Sequence, residues 1–217
     1  SSIRSGTHSF NGSDFNGLLA LLNLARLAPI KAIDIETKGL RPYRDGADIM
    51  SIAISFDGTD FAFAWDHPQA KWTAEQKYQI AVLLEQLLTD DTIKVAHNVP
   101  FELELFVSYF GLKVVNHAAW ECTQMQAQFL DERRGKAHGP DDHHRAAYQS
   151  LDFLCKQHFG LSHKPLFKLD KHDMSKTDLG ECLIYNSVDT RQTLRLYHRQ
   201  TKLLKELGLH DAYLEAL

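Results

Sequence analysis

A mixed α/β sheet flanked by helices is the fold class this chain predicts, and three observations carry that expectation. Three strand-like apolar runs follow one another early on, two of them joined at Asp57-Gly58, a dipeptide suited to a two-residue hairpin turn. Beyond them, short apolar runs alternate with longer stretches of helical periodicity. Finally, 217 residues that are 44% hydrophobic and 24% charged are enough for one domain with a sizeable core.

The elements follow in order. "GSDFNGLLALLNLARLAP" spaces its leucines helically after Ser13 and Asp14 and is closed by Pro29, so residues 1–30 read as an N-terminal extension and helix. "KAIDIE" is a strand that stops at the Gly39 turn, and "DIMSIAISFDGTDFAFAW" is the hairpin pair. "TAEQKYQIAVLLEQLLTDD" is an amphipathic helix with Thr73 as its N-cap. "TIKVAHN" is the next strand, and "PFELELFVSYFG" is a helix bounded by Pro100 and Gly111. "AAWECT" makes a fifth strand and leads into helix "QMQAQFLDE". The polar, His- and Arg-bearing stretch 133–147 reads as a mobile loop. Helix "SLDFLCKQHFG", a connector through Pro165, and a helix from about Lys176 to about Leu207 complete the chain. The expected sheet therefore has five strands, the first three antiparallel, in a single domain over 1–217.

A formal charge of −4 does not advertise a nucleic-acid surface, although a site built on bound metals needs none. Three scattered cysteines, Cys122, Cys155 and Cys182, form no CxxC and suit a reducing, cytoplasmic protein. The spacing of Cys155, His158 and Cys182 is poor for zinc, and that of His138, His143 and His144 is no better. No apolar run approaches a membrane span and no signal peptide is visible. The first methionine is Met50, from which we expect a piece of a longer polypeptide.

Three short patterns carry chemistry. In "KAIDIETKGL", Asp34 and Glu36 lie at i and i+2 of a strand and project from one face. Two like charges held that close are costly unless a cation lies between them. In "AHNVPFELELF", Glu102 stands early in a helix that follows a strand end, where ligands of open α/β sheets bind. In "YNSVDTRQTLRLY", Tyr185 and Asp189 share a helical face one turn apart. Taken singly, each pattern also fits solvated or capping residues.

In combination and in this order the patterns resemble the tyrosine-bearing branch of the DEDD superfamily of 3′–5′ exonucleases, and within it the proofreading domain of family A DNA polymerases. "DIETKGL" matches the first motif, "HNVPFE" the second and "YNSVD" the third. "ECTQMQAQFLDE" and "SLDFLCKQHFGLSHK" resemble two flanking segments, so the likeness runs from about Ile33 to the C-terminus. One departure is plain: Glu102 stands where the second motif usually has Asp, one methylene shorter.

The resemblance implies a ribonuclease H-like fold and two Mg²⁺ or Mn²⁺ ions held by Asp34, Glu36, Glu102 and Asp189, with Tyr185 orienting the attacking water. It implies substrate contacts from Thr37, Leu40 and Asn98, Leu40 as a wedge against the terminal base. The implied activity is metal-dependent 3′–5′ hydrolysis of single-stranded DNA ends to nucleoside 5′-monophosphates, by a monomer. A polymerase domain covalently linked after Leu217 is the implied context. RNA 3′-end hydrolysis and an exonuclease-like domain that only binds nucleic acid are the two alternatives.

Overall fold

The computed structural model describes residues 7–116, 119–131, 149–160, 162, 167 and 169–217. The expected 133–147 loop and the Pro165 connector lie outside the described residues. A sheet of order β1-β4-β3-β2-β5-β6 forms the centre. Its strands are β1 (Thr7–Phe10), β2 (Ile30–Lys38), β3 (Asp48–Phe56), β4 (Thr59–Ala64), β5 (Ile93–Ala96) and β6 (Ala119–Cys122). The expected antiparallel trio is β2, β3 and β4, and β5 and β6 continue the sheet in parallel. The β3–β4 turn has φ 47° at Asp57 and φ 79° at Gly58, the paired positive values that match the twist of a tight hairpin.

The strand count corrects the expectation of five. Residues 7–10, taken as part of an extension, pair in parallel with β4 as a sixth, edge strand. Four residues are too few to show an alternating pattern, and of them only Phe10 is buried.

Helices α1 (Phe15–Leu27), α3 (Ala74–Leu88) and α4 (Val99–Phe110) cover one face, with the short α2 (Pro42–Asp45) and α5 (Lys113–Asn116) beside them. Thr73 caps α3 through the full reciprocal box with Gln76. Then come α6 (Thr123–Leu130), α7 (Leu151–Phe159), a 3₁₀ turn (Met174–Lys176), α8 (Leu179–Glu206) and α9 (His210–Glu215). The long α8 starts three residues later than the expected Lys176, because the Asp178 side chain caps the Glu181 N–H.

The two faces of the sheet differ in side-chain size. Ile33, Ile35, Ile52, Ile54, Phe61 and Phe63 point into the main core under α1, α3 and α4. The alternate residues are Ala32, Ser51, Ala53, Ser55, Ala62 and Ala64. Ala53, Ala62 and Ala64 pack on Leu179 and Leu183 of α8, and Ala32 packs near Leu194 and Tyr197. Small side chains let α8 lie close against the strands, so its polar residues reach the edge-on carboxylates of β2.

Candidate active site

Asp34 and Glu36 come from the α8-facing side of β2, and Asp189 comes down to them from α8. One carboxylate oxygen of each lies within 4.8 Å of the others, the one such group of potential metal ligands among the described residues. Glu36 sits at a register shift between Glu36 and Thr37 in the β2–β3 ladder. Such a bulge re-aims side chains at the end of a strand. Glu102 enters from the first turn of α4, buried, and its Oε2 has no hydrogen-bond partner among the described residues. It stands outside the tight trio but close enough to act on Asp34 through charge.

The electrostatics are those of an acid cluster waiting for a counter-charge. Burial, then Glu36, Asp189 and Glu102, push the Asp34 carboxyl well above the usual range, against a hydrogen bond from Asn186. Burial pushes Glu102 up to about 8. Burial and the Asp189 charge raise Tyr185, so it stays a phenol, and its hydroxyl hydrogen bonds to Asp189. The Tyr185 ring is held edge-on by Phe167, centroids 5.3 Å apart.

Three hard carboxylates at this separation, plus an orphaned buried carboxylate oxygen, fit divalent cations such as Mg²⁺ or Mn²⁺. Asp34, Glu36 and Asp189 would hold one ion, and Glu102 with Asp34 would reach a second. The cysteine–histidine alternative has no geometry behind it: Cys155 packs beside Leu196, and Cys182 lies in a separate cluster with Met50 and Val188.

The expected substrate residues are scattered around this centre. Leu40 is half exposed just past β2, and the Thr37 hydroxyl is turned to the Gly39 carbonyl at 2.7 Å. Asn98 is the N-cap of α4, exposed, with no capping bond from its side chain. The motif histidine, His97, is a clamp: its ring nitrogens lie 2.9 Å from Thr123 Oγ1 and 2.8 Å from the Gln149 carbonyl. Arg191, two residues past Asp189, is occupied by Asp60 on β4, with Nε at 2.8 Å.

The sequence patterns passed over three residues. Tyr43 is 75% exposed on α2, beside Arg44 and three residues after Leu40. An exposed Tyr between two Arg in "LRPYR" was the available signal. Arg41 of the same segment pairs with Glu104, tying α2 to α4. Asn186, inside the third motif, touches Asp34 directly, and no pattern predicted that contact.

The model of the 3′–5′ exonuclease domain of the DNA polymerase A class matches residues 15–205 of the chain. The chain belongs to this 3′–5′ exonuclease family. It is a phosphodiester hydrolase, and the family works with divalent metal ions. Its fold is shared with solved exonucleases. Brucella melitensis NrnC aligns at 20% identity and TM-score 0.63, over 95% of this chain and 84% of that one. NrnC structures with bound Mg²⁺ and bound to pGG align at TM-scores of 0.58 and 0.55. The EXO domain of Aedes aegypti Nibbler aligns at 17% identity and TM-score 0.64, over 98% and 95% of the two chains. Escherichia coli RNase D, an exoribonuclease involved in structured RNA processing, aligns at 17% identity and TM-score 0.61, over 97% of this chain and 48% of its own. No curated protein sequence matches this exonuclease. No helix among its described residues is long and apolar enough to cross a membrane.

Proposed function

We propose that this exonuclease shortens single-stranded RNA from its 3′ end, releasing nucleoside 5′-monophosphates. The observation that carries the hydrolytic part is the trio Asp34, Glu36 and Asp189 with the Tyr185 hydroxyl bonded to one of its members. Divalent ions at such a site lower the pKa of a bound water, clamp the scissile phosphate and stabilise the departing 3′ oxygen. The side chains do the rest. Tyr185 donates its hydroxyl hydrogen bond to the Asp189 carboxylate, so its oxygen lone pairs accept a hydrogen bond from the attacking water and aim it at phosphorus. As a buried phenol it orients that water and does not deprotonate it. The water oxygen bonds to phosphorus and releases a proton to solvent, the bond from phosphorus to the 3′ oxygen breaks, and that oxygen takes up a proton from solvent, leaving a 3′ hydroxyl on the shortened strand.

Leu40 and Tyr43 stand exposed where the strand carrying the acids ends, Leu40 to abut the terminal base and Tyr43 to stack on a base further in. Arg44 adds charge for the backbone. The choice of RNA rests on likeness: RNase D acts on RNA, NrnC binds pGG, and NrnC and the Nibbler EXO domain are near this chain in length. A second reading, DNA 3′-end proofreading, is favoured by the polymerase-class family model and by the three motifs.

Ribo- and deoxyribo-oligomers of one sequence, labelled at the 5′ end and incubated with Mn²⁺, separate the readings. We expect a ladder descending from the 3′ end, faster on RNA. Faster decay of DNA overturns the substrate assignment. Binding without decay of either overturns hydrolysis and leaves a nucleic-acid-binding domain.

A further inference from the structure

Asn186 lies between Tyr185 and Asp189, at a position the third motif leaves open, and the hydrolysis described above makes no use of it. It is fully buried on α8. Its Nδ2 donates to Asp34 Oδ2 at 2.6 Å, and its Oδ1 accepts from Ser51 Oγ at 2.9 Å. Ser51 is the β3 register partner of Glu36, so this one amide braces the strand pair that carries both acids of the first motif.

Chemistry fixes the direction of these bonds. As a metal-binding carboxylate Asp34 only accepts, so the amide presents its NH₂ to Asp34 and its carbonyl to Ser51. The Ser51 hydroxyl therefore spends its proton on Asn186. Its other neighbour, Cys182 Sγ at 3.4 Å, must then be the donor of that contact. Burial pushes the Cys182 thiol up to about 12, so the thiol keeps its proton. The result is a one-way chain from the Cys182 S–H, through the Ser51 O–H and the Asn186 amide, to Asp34. Cys182, Ser51 and Asn186 are each fully buried, so no water competes for the bonds among them.

A lysine or arginine in this place would also hold Asp34, but its positive charge would cancel part of the field that draws a cation. A neutral amide orients the carboxylate and leaves the negative charge of the cluster intact. Because Asn186 is fastened at its far side, Asp34 cannot turn away under repulsion from Glu36, Asp189 and Glu102. We propose that Asn186, fixed by Ser51 and Cys182, is a positioning residue that presets the metal-binding carboxylate of Asp34 before any ion arrives. The proposal rests on Asp34 being a metal ligand.

Mn²⁺ binding, followed by the loss of the free-ion EPR signal, tests it without reference to turnover. The proteins are the wild type, Asn186→Ala, Ser51→Ala and the conservative Ser51→Thr, each melted in EDTA to establish folding. Partners that orient a metal ligand are worth about 10–100-fold in affinity, and we expect Asn186→Ala to lose that much. Ser51→Ala, which acts on Asp34 only through Asn186, should lose about 10-fold, the lower end of that range, and Ser51→Thr should stay within about twofold of wild type. Turnover should recover in Asn186→Ala when Mn²⁺ is raised, because the defect is in holding the ion. A folded Asn186→Ala that binds Mn²⁺ within threefold of wild type overturns the proposal. If that variant does not fold, Ser51→Ala decides alone, and unchanged Mn²⁺ affinity there overturns it too. Failure of the wild type to bind Mn²⁺ at all strikes the metal reading itself, a different result from wild-type binding that is indifferent to Asn186.

Discussion

Replacing Asp189 with Asn removes one negative charge from the trio while keeping the shape and an oxygen to accept the Tyr185 hydroxyl. At 4.8 Å or less, each pair of ionised carboxylates repels by about 3.5 kcal/mol at an effective dielectric of ~20. Asp189 takes part in two such pairs, but solvent at these partly buried carboxylates screens part of that repulsion. The net relief in metal-free protein is therefore expected at roughly 1–3 kcal/mol. For a chain of this length that raises the melting temperature by about 3–10 °C. Thermal melts at pH 8 and low salt, in EDTA and then in Mn²⁺, give the readout. In EDTA the Asp189→Asn protein should melt above wild type. In saturating Mn²⁺ the order should reverse, because binding at ~1,000 times Kd stabilises the wild type alone by about 4.1 kcal/mol, more than that relief. Hydrolysis by the variant should be lost. A variant that melts below wild type in EDTA, or a wild type unmoved by Mn²⁺, would refute the view that these acids repel until an ion joins them.

Four further outcomes are expected. Tyr185→Phe should slow hydrolysis about 100-fold, the lower end of the range for a positioned catalytic group, while Mn²⁺ affinity holds; equal losses of both would place Tyr185 among the ligands. Glu102→Asp should keep or raise hydrolysis, whereas Glu102→Gln should cost binding of the second ion only, read as one Mn²⁺ lost from the titration. Tyr43→Ala should raise KM by about 5–100-fold, the worth of one stacked base, with kcat kept; a fall in kcat alone would put Tyr43 outside the substrate path. The fourth concerns pH. Burial lowers Lys31 to about 8, below its unfolded value, so the unfolded chain holds the proton longer and stability should rise with pH from about 8 to 10. Lys31→Met, which leaves Asp90 paired with Lys94 at 2.9 Å, should flatten that rise in urea titrations.

Much of the site was legible along the chain because its residues obey short periods. Asp34 and Glu36 alternate with Ile33 and Ile35, which states a strand with acids on the face opposite the core. Tyr185 and Asp189 are one helical turn apart, and a turn of α8 does bring the hydroxyl to the carboxylate. The hairpin at Asp57-Gly58 was readable because only certain residues accept positive φ at both positions. The edge strand Thr7–Phe10 was not, since its pairing with β4 joins residues about 50 positions apart and leaves no periodic trace.

Local order along the chain thus determined which side chains are candidates for the chemistry and on which element each one stands. It also held an unread statement of how close the layers lie: the alternation of Ser51, Ala53 and Ser55 with Ile52 and Ile54 makes one face of β3 thin. Only the tertiary structure decided what that thinness permits. It lets α8 settle against the sheet, sets Asp189 within 4.8 Å of Asp34 and Glu36, and turns Asn186 onto Asp34. It also buries Glu102 beside them with one oxygen unpaired. The contacts of Asn186 and Asp189 with Asp34 join residues more than 150 positions apart, and all of these energies depend on distance and burial, quantities that spacing along a chain does not contain.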